Sequence, residues 1–176
     1  MDEQTKLIHY SGKPIEKLEP KIYDQNKLPY HAKPNGLWIS VEGFEDPDEI
    51  NWKEWCYGET FQTENLKYSY EVILKKDENI LYLKSSDEIF EFTKKFPLPL
   101  FSQRPVLDWN CGDTYQLDWH KVKTLYQGII IAPYQWYCRL SVDCSWYYGW
   151  DCSSGCIWDL DCIEEFRRID GHTIIL

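Results

Sequence analysis

Four prolines, Pro14, Pro20, Pro29 and Pro34, separate two short apolar runs, Leu7-Ile8-His9-Tyr10-Ser11 and Leu37-Trp38-Ile39-Ser40. Each proline lacks a backbone N–H and crowds the turn before it, so no long helix can form between the runs. The chain is therefore expected to begin with strands at 6–11 and 37–41 joined by a polar, irregular segment. Lys33-Pro34-Asn35-Gly36 fixes the entrance to the second strand, because proline presets one backbone angle and glycine turns at low steric cost. Both runs end in small polar residues, which places His9 and Ser40 at strand ends. A histidine, a serine and the rings of Tyr10 and Trp38 in such positions can hold a sugar hydroxyl and stack a flat base. The plainer reading is two buried strands around a hydrogen-bonded histidine.

The 176 residues suit a single domain, 1–176, with a sizeable core. Nine Trp and thirteen Tyr exceed what such a core needs, so some rings are expected at a cleft or an interface. Lys+Arg 19 against Asp+Glu 29 leaves a formal charge of −10, and the basic pairs Lys75-Lys76, Lys94-Lys95 and Arg167-Arg168 lie beside acids. General nucleic-acid binding is disfavoured by that balance. No run reaches the length of a membrane span and the first residues lack the pattern of a signal peptide, so the expected setting is cytoplasmic, of the producing or a host cell, without membrane contact. Seven cysteines cannot all pair within the chain, which favours reduced thiols. Cys152 and Cys156 are not followed by a histidine pair at ligand spacing, so no metal is expected.

Further along, a helix is expected at 49–56, capped by Asp48 and ending near Gly58. Strands at 68–74 and 80–84, joined by Lys75-Lys76-Asp77-Glu78-Asn79, read as a β-hairpin or as consecutive strands of a sheet. Ser86 or Asp87 caps a helix over 88–96 that Pro97 stops. Residues 98–114 show no regular pattern. A helix face at 117–126 ends at Gly128, Ile129-Ile130-Ile131-Ala132 reads as a buried strand closed by Pro133, and 155–158 reads as a last central strand.

In motif order the chain resembles the ADP-ribosyltransferase superfamily, which includes diphtheria toxin-like and poly(ADP-ribose) polymerase-like enzymes. His9-Tyr10 takes the place of the family's first-strand element and Leu37-Trp38-Ile39-Ser40 that of its second. Trp158-Asp159 resembles the aromatic-Asp pair of a late strand, but Ser154 stands where the polymerase-like branch has a glutamate. The resemblance spans about residues 7–159 through short blocks. It implies an α+β fold with a split, mainly antiparallel sheet and short helices around an NAD cleft. It also implies an enzyme that moves ADP-ribose from NAD, as substrate, to a macromolecular acceptor, expected to be a protein. His9 would hold the hydroxyls of the nicotinamide-side ribose, Tyr10 and Trp38 would grip nicotinamide, and Ser40 and Ser154 would complete the site. The carboxylate would come from Asp151, Asp159 or Glu59. Such chemistry needs one because breaking the ribose–nicotinamide bond builds positive charge on the sugar.

A second candidate region is Tyr134-Gln135-Trp136-Tyr137-Cys138-Arg139 with Trp146-Tyr147-Tyr148-Gly149-Trp150-Asp151. Its rings beside Arg139 and Asp151 suit a non-catalytic module that binds a protein or a nucleotide-like ligand, or form an aromatic core layer. A cysteine nucleophile working with His120 is a third reading, although no local signature marks the thiol. No Walker loop, G-x-G-x-x-G or H-E-x-x-H occurs.

Overall fold

The computed structural model describes residues 5–25, 33–46, 48–98, 116–169 and 173–174. It shows β1 (Lys6–Ser11), β2 (Leu37–Glu42), α1 (Trp52–Gly58), β3 (Tyr68–Leu74), β4 (Ile80–Leu83), α2 (Ser86–Lys95), β5 (Pro97–Leu98), β6 (Gln116–Leu117), α3 (Trp119–Lys123), β7 (Gly128–Ile131), α4 (Trp136–Arg139), β8 (Ser154–Ile157), β9 (Ile163–Arg168) and β10 (Thr173–Ile174). Eight strands form one sheet in the order β10-β9-β3-β1-β2-β8-β7-β4, and β5 and β6 form a separate two-stranded ribbon. Every neighbouring pair in the sheet is antiparallel except β4 with β7. The α+β class and the mainly antiparallel sheet agree with expectation. The split does not, since all eight strands share one hydrogen-bonded ladder.

Residues paired across a ladder point to the same face, and alternation along each strand then sorts the whole sheet. The pairs Ile8↔Ser40, Trp38↔Cys156, Ser40↔Ser154 and Ile129↔Cys156 define one face. Around Ile129, Ile131 and Cys156 that face is covered by α2, α3 and the segment 134–150, which contribute Phe92, Trp119, Trp146, Tyr147 and Trp150 to a buried aromatic layer. The opposite face carries Leu7, Ile39, Val41, Tyr70, Val72, Ile157 and Phe166, with Ile15, Leu18 and Phe44 packed against them. The aromatic layer ends beside β8; beyond it the first face carries the buried Ile8 and Ser40 on β1 and β2, then the more exposed Glu71 and Arg167 on β3 and β9.

Local chemistry explains most boundaries. Asn51, not Asp48, caps α1: its side chain accepts from the Glu54 N–H while the Glu54 carboxylate accepts from the Asn51 N–H, a reciprocal capping box. Ser85, one residue before the expected cap, receives the Glu88 N–H and starts α2. The helix after Leu117 is confined to α3, and Gly128 opens β7 rather than closing a helix. The 68–74 and 80–83 strands are not a hairpin, because β3 lies between β1 and β9 whereas β4 pairs with β7 at the far edge. The strand expected at 155–158 is β8, inside the sheet between β2 and β7, and β9 and β10 follow it in the chain. Most of the irregular 98–114 stretch lies outside the described residues. The six described cysteines are all free thiols and buried. Among the described residues no helix is long and apolar enough to cross a membrane.

Candidate functional site

A cleft of about 450 Å³ opens on the first face, over Trp38 and Ser40 of β2 and beside Ser154 of β8. The N-terminus of α1 is tied to its floor, because the Trp52 N–H donates to Ser40 Oγ at 3.0 Å. Gln62 and Asn65 close the side next to Ser11 and Gly12. Ser154 is buried and its hydroxyl donates to the Cys152 carbonyl at 3.0 Å. Trp38 packs edge-on against the buried Trp150 at 4.9 Å, so its indole has a rigid backing.

Asp151 follows Trp150 directly and stands in the cleft wall with its side chain only 16% exposed. Arg139 Nη1 donates to its Oδ1 at 2.9 Å and also reaches Tyr134 Oη and the Trp150 carbonyl. The Lys33 ammonium lies 3.6 Å from the other oxygen, Oδ2. Among the described lining residues Asp151 is the only carboxylate. At Asp151 one negative charge faces two positive ones, while the carboxylates of Glu42 and Glu49 stand behind Tyr10 and Ser153. Such a spot suits an anionic ligand.

His9 borders the cleft, but its ring belongs to the opposite face. His9 pairs with Tyr70, and its imidazole lies 6.5 Å from Tyr70 and 6.0 Å from Phe166. A carbonyl can only accept, so His9 Nδ1 carries the proton and donates to the Trp38 carbonyl at 2.7 Å. That bond fixes the strand segment bearing Trp38, a role different from the expected grip on ribose hydroxyls. Burial holds the His9 pKa below its usual 6.5, against the smaller opposing pull of the Trp38 carbonyl. Since the folded state disfavours the imidazolium, stability contributed by neutral His9 is fully present above pH 6.5 and is lost as pH falls through the folded pKa. Urea midpoints should therefore drop between about pH 7.5 and about pH 5 more steeply in wild type than in His9→Asn, and equal slopes would remove His9 from this linkage.

The other expected residues divide clearly. Tyr10 lines the cleft, and its hydroxyl donates to Glu42 Oε1 at 2.7 Å; burial and that carboxylate push its pKa well up. Glu59 caps the C-terminus of α1 and lines a different hollow, with Glu42, Glu49 and Glu54. Asp159 lies beyond the Ile157 end of β8, whereas Ser154 at the other end pairs with Ser40. Its carboxylate receives Gln127 Nε2 and the Asp161 N–H, the work of a turn cap. Neither Glu59 nor Asp159 faces the cleft. Lys33, Trp52, Gln62 and Asn65 do, although no local pattern marks them as site residues.

Cys152 also lines the cleft, but burial pushes its thiol up to about 12. Burial likewise raises Cys56, Cys144, Cys156 and Cys162. A cysteine nucleophile needs a lowered pKa, so none of these five suits the role. Among the described residues no group of three or more His, Cys, Asp or Glu side chains is placed to hold a metal ion. No family model, curated protein or solved structure matches this chain.

Proposed function

We propose that this chain binds NAD in the cleft and transfers ADP-ribose from it to a macromolecular acceptor, with protein as the expected class. The observation that carries this reading is the placing of Asp151 in one cleft with Trp38, Ser40 and Ser154. In the reaction the bond between ribose C1′ and the nicotinamide nitrogen breaks, nicotinamide leaves with the electron pair, and an acceptor nucleophile bonds to C1′ and gives up a proton. Positive charge peaks on the sugar between those events, where a fixed carboxylate stabilises it more than it stabilises bound substrate. Asp151 supplies that carboxylate, and Arg139 holds it in place through Oδ1. The Trp38 indole stacks nicotinamide. Ser40 Oγ already accepts from the Trp52 N–H, which leaves its own hydroxyl proton to donate to the ligand. His9 acts here as a positioning residue, through the Trp38 carbonyl. Buried free thiols and the supply of NAD both suit a cytoplasmic setting.

A second reading is a non-catalytic binding module. It draws on five exposed large apolar side chains close in sequence, Trp136, Tyr137, Leu140, Val142 and Tyr148. Thermal unfolding with NAD, together with an assay of nicotinamide release, separates the two. NAD at a hundred times its dissociation constant should stabilise the fold by about 2.7 kcal/mol, and nicotinamide should accumulate when an acceptor protein is added. A midpoint unmoved by millimolar NAD would leave the binding module as the better reading.

A further inference from the structure

Lys33 precedes the Pro34-Asn35-Gly36 turn that leads into β2, and its side chain borders the cleft. Its stem crosses the backbone at Gly149, where an added Cβ would meet Lys33 Cε at 3.1 Å. Its ammonium stands 3.6 Å from Asp151 Oδ2 and 5.0 Å from the centroid of the Trp38 ring. One cation thus covers both groups that the proposed reaction needs, the carboxylate oxygen that Arg139 leaves over and the indole that would stack nicotinamide.

The two cations beside Asp151 are held differently. Arg139 is fixed by three acceptors, Asp151 Oδ1, Tyr134 Oη and the Trp150 carbonyl, and its side chain is 22% exposed. Among the described residues Lys33 has one longer ionic contact and one ring contact, and its side chain is 36% exposed. A partly solvated pair at that distance is weak, whereas a phosphate offers an ammonium several charged acceptor oxygens at once. Lys33 is the cation that an anionic ligand can take.

We propose that Lys33 is the phosphate-binding residue of the cleft: the diphosphate of an incoming dinucleotide draws its ammonium off Asp151 and Trp38. The same movement that binds the anion uncovers Asp151 Oδ2 and one face of the indole. What is uncovered matters only if the NAD reading holds; the anion site stands on the charges alone. Competition for one ammonium has a further consequence: removing the Asp151 charge should strengthen anion binding.

Calorimetric titration with inorganic pyrophosphate, NAD and nicotinamide, on wild type, Lys33→Met, Lys33→Arg and Asp151→Asn, tests this. Pyrophosphate should bind wild type, bind Lys33→Met about 10-fold or more weakly, and bind Lys33→Arg nearly as well as wild type. Asp151→Asn should bind it more tightly than wild type. Nicotinamide, which is uncharged, should bind Lys33→Met at least as well as wild type. Wild type that does not bind pyrophosphate, or Lys33→Met that binds it equally well, would overturn the proposal. Should Lys33→Met fail to fold, Asp151→Asn decides, since unchanged or weaker pyrophosphate binding there also overturns it. Pyrophosphate binding that needs Lys33, combined with no binding of NAD, would keep the anion site and discard NAD as its ligand.

Discussion

Asp151→Asn is expected to lower the rate of nicotinamide release by about 100-fold or more while NAD binds no more weakly than to wild type. The magnitude is scaled on the removal of one preorganised oxyanion-hole donor, which costs about 10²–10³ in turnover. The split between rate and affinity follows because positive charge on the ribose exists in the transition state and not in bound NAD. Asparagine keeps the volume and can still accept from Arg139 through its amide oxygen, although Arg139 loses its counter-ion. Some stability should be lost, so the rate must be measured per folded molecule at a temperature well below the midpoint. Asp159→Asn and Glu59→Gln supply the contrast: one carboxylate caps a turn, the other lines a separate hollow, and both variants should keep most of the activity. If Asp159→Asn proves the inactive one, the cleft has been assigned the wrong carboxylate. If no protein in the set releases nicotinamide, wild type included, the binding-module reading takes over.

The parts of this arrangement that were legible in the sequence are those set by local chemistry. Prolines 14 to 34 rule out a long helix between the two apolar runs, and those runs appear as the neighbouring strands β1 and β2. Ile129-Ile130-Ile131 reads as a buried strand because no polar residue interrupts it, and β7 is buried throughout. What local chemistry cannot supply is pairing. Lys75-Lys76-Asp77-Glu78-Asn79 looks like a hairpin turn, yet the partners of β3 are β1 and β9, far away in sequence. Strand β9, Ile163–Arg168, hides as well, since Glu164-Glu165 and Arg167-Arg168 resemble a solvated surface until Arg167 is seen bonded to Glu71 across the ladder. The face on which His9 lies is hidden in the sequence for a related reason. A strand alternates its side chains, so His9 and Tyr10 cannot both look into one cleft, and only the pairing of Ile8 with Ser40 shows which of them shares a face with Ser40. Asp151 is one of three candidate carboxylates, and only the fold brings it to Lys33 and Trp38.

Truncation of Trp150 to alanine should destabilise the protein by about 3–5 kcal/mol, the usual range for deleting a fully buried aromatic side chain. Trp150 is wholly buried, and its ring meets Trp38 at 4.9 Å, Tyr147 at 5.9 Å and Trp146 at 6.3 Å. The loss is more than area, because the packed layer that would have to collapse into the hole is made of rigid rings. Its backbone carbonyl receives Tyr134 Oη and Arg139, so movement of this segment would also loosen the hold on Asp151. Trp150→Phe should cost much less, since it keeps a ring in place and the buried Trp150 Nε1 has no hydrogen-bond partner to lose among the described residues. Urea unfolding of the three proteins gives the stabilities, and NAD titration of whatever fraction remains folded gives the coupling to the cleft. Trp38 without its backing should bind nicotinamide poorly, so Trp150→Ala should weaken NAD binding even where it is folded, whereas Trp150→Phe should not. A Trp150→Ala protein as stable as Trp150→Phe, binding NAD as tightly, would mean that the aromatic layer does not support the cleft. The rings of the last third would then be better explained by the exposed surface from Trp136 to Tyr148 than by the site on β2.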